Sequence, residues 1–221
     1  MAVTKQRYHA VVMGDLVRSE HAQSIQITHN SFNSAIDKCN FDHRQQLASP
    51  LTITLGDEFQ GLTNSMTSAL YVIRDLRFAL MADGVECRFA IGVVALQTPI
   101  NTSKAWNMMG PGLAKTRDKL NEKRTVSLYR FAVTDDVVIE TMLEALGSGL
   151  TLIERRWTAQ QRQDIIALLA GATPSEVAKA RNVSVHSIYK VRGSDDYDSY
   201  VLRWNAVETT LAHLDKQAGM A

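Results

Sequence analysis

At 221 residues, 45% hydrophobic and 21% charged, the chain has the composition of a soluble globular protein with one large domain or two small ones. A net charge of +1 excludes a global electrostatic preference for nucleic acid or membrane, and no apolar run approaches membrane-spanning length. The N-terminus lacks a basic-then-apolar leader, Cys39 and Cys87 sit in apolar patterns, and the six histidines are scattered, so the expectation is a cytoplasmic protein with reduced thiols and no zinc.

Taken in order, residues 8–14 form a near-continuous apolar run, the pattern of a buried central strand, and it ends at Gly14-Asp15. A helical stretch follows with Ile25, Phe32, Ala35-Ile36 and Cys39 on one face, then a polar loop from Phe41 to Pro50. Leu51, Ile53 and Leu55 alternate with threonines as a half-buried strand does, and Phe59 to Leu62 resumes after Gly56-Asp57. Two runs split by a Gly-Asp pair predict a hairpin, with glycine supplying the positive φ of a two-residue turn. Asp57 and Glu58 therefore sit at a tightly fixed tip.

Ser65 is the predicted N-cap of a helix whose apolar positions run from Ala69-Leu70 through Ile73 and Leu76 to Leu80, and Asp83-Gly84 ends it. Residues 86–96 alternate as a strand, with Cys87, Phe89, Ile91 and Val93 on one side. A helix is expected over Gly112 to Leu120, a strand over Thr125 to Phe131, and a closing helix over Asp135 to Leu146. Strand, helix, hairpin, helix, strand, helix, strand defines an α+β class: a ferredoxin-like core with additions.

If the first strand neighbours the hairpin, Asp15 and Asp57 converge. At about 5 Å and an effective dielectric near 20, two bare carboxylates repel by roughly 3 kcal/mol. A divalent cation removes that cost, and oxygen-only donors suit Mg²⁺ or Mn²⁺. Either Gly-Asp pair alone is ordinary turn chemistry; the two together point to a metal site.

On these residues the chain resembles the palm-like domain of class III nucleotidyl cyclases, GGDEF diguanylate cyclases and CRISPR-associated polymerase palms. The resemblance implies metal ligation by Asp15 and Asp57 with Glu58 available as a third, and a bound nucleoside triphosphate. It also implies that the backbone of Leu16, Val17, Arg18 and Ser19 wraps the phosphates. More narrowly, Met13-Gly-Asp-Leu-Val-Arg-Ser19 with Leu55-Gly-Asp-Glu-Phe-Gln60 resembles the SatD family over nearly the whole chain. Two departures stand out. Leu55 occupies the place of the first of two glycines in the diguanylate cyclases. The segment Gly110 to Lys119 offers Lys115 and Arg117 as phosphate-binding cations but no late-helix asparagine, so metal and phosphate binding are better supported than cyclisation. Lys115, Arg117 or Lys119 taken singly is equally a solvated helix face.

Gly147-Ser-Gly149 is the predicted linker, dividing the chain into a palm-like domain over 1–147 and a small all-α domain over 150–221. Thr158 N-caps a helix carrying Ile165-Ile166 and Leu168-Leu169, and residues 172–191 fit a helix-turn-helix. Pro174 opens its first helix, Ala178 permits the close crossing, Asn182 takes the left-handed turn, and Val177, Val183, Ile188 and Val191 fill the core. The second helix would present Val185, His186, Ser187, Tyr189 and Lys190 to DNA, followed by Arg192. From Leu150 onward nine Lys/Arg face eight Asp/Glu, so one copy would bind DNA weakly, and a packing or assembly module competes on even terms. A last helix, Tyr200 to Leu214, shows Val201-Leu202, Val207, Leu211 and Leu214 as an apolar face that a second subunit could cover, predicting a homodimer.

The leading expectation is a cytoplasmic bacterial regulator with a metal-dependent nucleotide-binding palm and a DNA-binding helix-turn-helix. The alternatives are a cyclase or nucleotidyltransferase whose helical domain serves assembly, and a scaffold in which the acidic residues are only turn chemistry.

Overall fold

The computed structural model describes residues 8–17, 25–122, 126–193 and 195–220. The apolar run after residue 7 becomes β1 (Tyr8–Leu16), buried along almost its whole length, and α1 (Ile25–Asp42) follows. The hairpin is β2 (Leu47–Leu55) and β3 (Glu58–Thr63); then come α2 (Met66–Ala82), β4 (Cys87–Ala95), α3 (Leu113–Leu120) and β5 (Tyr129–Ala132). The sheet runs β2-β3-β1-β4-β5, with β1 antiparallel to both β3 and β4, and β5 parallel to β4 at the edge. The first four strands with α1 and α2 are the ferredoxin-like β-α-β-β-α-β unit, as the pattern predicts.

Both faces of the sheet are covered. Ala10, Val12, Phe59, Phe89 and Ile91 pack under α1 and α2. On the other face Val11, Met13, Leu62, Ala90 and Val94 meet Ala105 and Met108 of the 96–112 loop and Leu120 of α3. That loop lies close on the strands: a Cβ on Gly112, whose φ is +101°, would come within 1.9 Å of the Val93 carbonyl. Only glycine fits there.

Three local expectations are corrected. The loop expected from Phe41 to Pro50 shrinks, because α1 runs on through Asp42 and the strand already begins at Leu47. Pro50 is tolerated because β2 is an edge strand. Gly56 does not adopt positive φ; Leu55 still pairs with Glu58 across the two-residue turn, and the twist is absorbed by a register shift between Ile53 and Leu55. Ile25 is 69% exposed rather than on the core face of α1. The expected strand start at Thr125 lies outside the described residues, and β5 begins at Tyr129.

The largest correction concerns the linker. Residues 147–149 lie inside α4 (Val137–Arg156), a continuous helix capped by Asp136. Gly147 is there for contact, since a Cβ would stand 2.7 Å from the Tyr129 carbonyl oxygen. Beyond it, α5 (Ala159–Leu169) starts on a Thr158 capping box, α6 (Pro174–Arg181) on a Thr173 capping box with Pro174 in its first turn, and α7 (Val185–Arg192) on Ser184. Asn182 takes φ +53° and ψ +46°, the left-handed turn expected of it. Leu168, Val177, Ala178 and Ile188 form the small core of the three helices, while Val183, 36% exposed, lies outside it.

Helix α8 (Asp195–Ala218) returns to the body of the molecule. Its buried face is Tyr200, Trp204, Val207, Leu211 and Leu214, in the same apolar cluster as α2, α4 and the sheet, whereas Leu202 is 70% exposed. The face that suggested a second subunit is thus covered within the chain. Polar anchors reinforce it. Asp215 accepts from the Met66 and Thr67 amides at 2.7 and 3.0 Å and from the Thr67 hydroxyl at 2.7 Å, at the N-terminus of α2. Glu154 of α4, almost fully buried, accepts from Arg77 Nε at 3.0 Å, Tyr129 at 2.5 Å and Tyr200 at 3.1 Å. Among the described residues no helix is long and apolar enough to cross a membrane.

Candidate functional site

Strand register assembles a charged row on the α3 side of the sheet. Asp15 lies opposite Glu58 on β3 and Arg88 on β4, and Ala90 lies opposite Arg130 on β5. Side chains alternate along a strand, so Met13, Asp15, Glu58, Gln60, Arg88 and Arg130 share one face. The hairpin tip is tied to the end of β1 by the Leu16 amide, which donates to the Asp57 carbonyl at 3.0 Å. Asp15, Asp57 and Glu58 are thereby brought to the same end of the sheet.

Arg88 grips Asp15 with a two-pronged fork, Nε to Oδ1 at 2.9 Å and Nη2 to Oδ2 at 2.5 Å. Burial pushes the Asp15 carboxyl above its ordinary range; Arg88 and then Arg130 pull it down, Asp57 pushes it up, and the net shift is upward. Arg130 is 1% exposed. It donates through Nη1 to the Lys119 and Leu120 carbonyls at 3.0 and 2.5 Å, capping the C-terminus of α3, while its buried Nη2 has no hydrogen-bond partner among the described residues. Arg88 and Arg130 were missed in the sequence because each looks like the ordinary polar position of an alternating strand.

Beside this row opens a pocket of ≈ 520 Å³, within the roughly 300–1,000 Å³ of small-molecule sites. Met13, Thr54, Gln60, Trp106, Met108 and Arg117 border it. Gln60 Nε2 donates to the Ala105 carbonyl at 2.9 Å and Thr52 Oγ1 accepts the Ala105 amide at 2.8 Å, so β2 and β3 fix the loop that forms one wall. Arg117 reaches Gln60 Oε1 at 3.5 Å.

The remaining expected contacts separate. Lys115 donates to Asp135 at 2.7 Å and to the Thr134 carbonyl at 3.1 Å, near the Tyr8 end of the sheet and away from Asp15. The amides of Leu16 and Val17, expected to wrap phosphate, already donate to the Asp57 and Glu86 carbonyls. Arg18 and Ser19 lie outside the described residues. Lys119 is bound up with Glu140 at 2.8 Å and with Glu122 and Glu144.

The fit of a divalent cation can be judged from the donors. Among the described residues no group of three or more His, Cys, Asp or Glu could hold a metal by itself. Two carboxylates at one strand end suit an ion that takes one or two protein oxygens and completes its shell with phosphate and water, the habit of Mg²⁺. Such an ion would compete with Arg88 for Asp15.

On α7, His186, Tyr189, Lys190 and Arg192 are exposed, Tyr189 by 55%. Val185 and Ser187 are half-buried, and the Ser187 amide and hydroxyl are engaged by the Ser184 cap at 3.2 and 2.9 Å.

Topology and sheet face together define a ferredoxin-like α+β protein extended by a helix-turn-helix. The chain matches the SatD family over residues 8–190, and it belongs to that family. Among solved structures it is similar to a bacterial light-regulated adenylyl cyclase, at 11% identity and a TM-score of 0.39, covering 57% of this chain and 75% of that one. No curated protein matches the chain.

Proposed function

We propose that the protein is a regulator whose palm-like part binds a nucleotide with Mg²⁺ or Mn²⁺ and whose helix-turn-helix reads that state out on DNA. The observation that carries the nucleotide half is the Asp15–Arg88 fork with Asp57 at the same end of the sheet, on the face from which Met13 and Gln60 border the ≈ 520 Å³ pocket. Carboxylates to share a cation, a guanidinium to meet phosphate and a partly apolar hollow for the rest of the ligand are what a nucleotide requires. Asp15 and Asp57 would hold the ion, with Glu58 beside them; bound, it supplies charge neutralisation for the polyphosphate. Calorimetry with each nucleoside triphosphate and Mg²⁺ is expected to show saturable binding that Asp57→Asn abolishes. Unchanged heat in Asp57→Asn would remove the metal assignment.

Binding rather than turnover is favoured by the Asp15–Arg88 fork: one shared ion needs only one prong displaced, whereas a catalytic metal pair would need both Asp15 oxygens. Triphosphates incubated with the protein and Mn²⁺ should therefore stay intact by chromatography; released pyrophosphate would replace the regulator with a cyclase or nucleotidyltransferase.

The DNA half rests on the exposed row His186, Tyr189, Lys190 and Arg192. A module with so little net charge neutralises few phosphates, so two copies related by a two-fold axis would be needed for specific binding. Light scattering reports the mass, and a gel shift on genomic fragments should be lost in a Lys190→Ala, Arg192→Ala double variant. Binding that survives the double variant would exclude α7 as the reading helix.

A further inference from the structure

We propose that the pocket beside Asp15 is built for a guanine base, making the ligand a guanine nucleotide. This rests on the nucleotide reading and adds to it. Arg117 and Asp118 are consecutive on α3 and both border the pocket. A guanidinium offers two parallel donors and a carboxylate two parallel acceptors. Guanine presents two neighbouring acceptors, O6 and N7, on one edge and two neighbouring donors, N1–H and N2–H, on the next. Adenine alternates donor and acceptor, so it can satisfy neither fork twice.

The walls suit a planar base. Met13 and Met108 supply buried, polarisable surface, and Trp106, 50% exposed, offers an indole at the mouth. Beside it Asn107 is held in the left-handed region at φ +56°, a conformation the loop keeps while lining the pocket. Polarity along the site agrees. A carboxylate at Asp118 repels phosphate, whereas Met13 stands two residues from Asp15, roughly 7 Å along the strand. The base therefore lies toward α3 and the phosphates toward Arg88.

Calorimetry of the full chain with GTP, ATP, CTP, UTP and ITP in Mg²⁺ tests this. GTP should bind about tenfold or more tightly than ATP, the discrimination that a good bidentate base contact provides. ITP, which lacks the N2 amino group, should fall between them. Asp118→Asn, an exposed change on α3 checked for folding by circular dichroism, should abolish the GTP advantage, so that GTP and ATP bind that variant with equal affinity. Equal affinity for GTP and ATP would overturn the guanine assignment while leaving the nucleotide reading intact. A GTP preference that survives Asp118→Asn would overturn the role given to Asp118. No binding of any of the five would overturn the nucleotide reading itself, and this inference with it.

Discussion

At the scale of single residues, the acidic positions were legible and their partners were not. Asp15 and Asp57 each follow a glycine where an apolar run ends, a signal visible without coordinates. Arg88 and Arg130 are single polar positions in strands, and only strand register shows that Arg88 pairs with Asp15 and that Arg130 shares its face of the sheet. Arg88→Ala should leave a half-buried carboxylate without its fork and lower stability by about 1–3 kcal/mol in urea unfolding. Glu154 carries more. With Arg77, Tyr129 and Tyr200 all converging on it, Glu154→Ala strands a buried guanidinium and is expected to cost about 3–5 kcal/mol. Glu144 gives a pH signature. Burial pushes its carboxyl above the ordinary 4.5, although the Phe131 amide and Lys119 oppose this. A raised carboxyl holds its proton more tightly in the folded state, so its contribution is greatest below the unfolded value and is lost as pH rises through the folded one. Unfolding titrations should therefore show wild-type stability falling across that window relative to Glu144→Gln. Parallel curves would contradict the shift.

At the scale of elements, caps were the most readable feature. Ser65 and Thr158 each accept the amide that their position predicts, Pro174 opens its helix, and Asn182 takes the turn. Gly147-Ser-Gly149 misled for a physical reason: sequence cannot separate glycine used for freedom from glycine used for contact. The two uses predict opposite signs. In a free linker Gly147→Ala would stabilise by up to about 1 kcal/mol through the unfolded chain. Inside α4, with the Tyr129 carbonyl oxygen 2.7 Å from the new Cβ, it should destabilise by about 1–3 kcal/mol. Gly149→Ala meets only the flexible Arg203 side chain and should be far milder. Thermal melts of the two variants distinguish these outcomes.

At the scale of the whole molecule, the order of elements along the chain was readable, because period and turn signals are local. The return of α8 was not. Tyr200 and Trp204 were passed over in favour of Val201-Leu202, since several stripes of that helix are apolar enough to be the buried one. What decides among them is the surface of α2 and α4, more than a hundred residues away for α2. Because Tyr200, Trp204, Val207 and Leu211 share a core with the sheet, urea unfolding followed by tryptophan fluorescence and by circular dichroism should give one coincident transition. Two separated transitions would show that the C-terminal helices fold as an independent body.

The Asp215 cap on α2 also has a consequence for birth on the ribosome. The amide of Met66 waits for a carboxylate 149 positions later in the chain. At roughly 5–20 residues per second that is on the order of ten seconds or more. Throughout that interval the flank of α2 and the inner side of α4 lack the helix that covers them. Until then the apolar surface that Tyr200, Trp204, Val207 and Leu211 cover stays open, and its closure is timed by the arrival of α8.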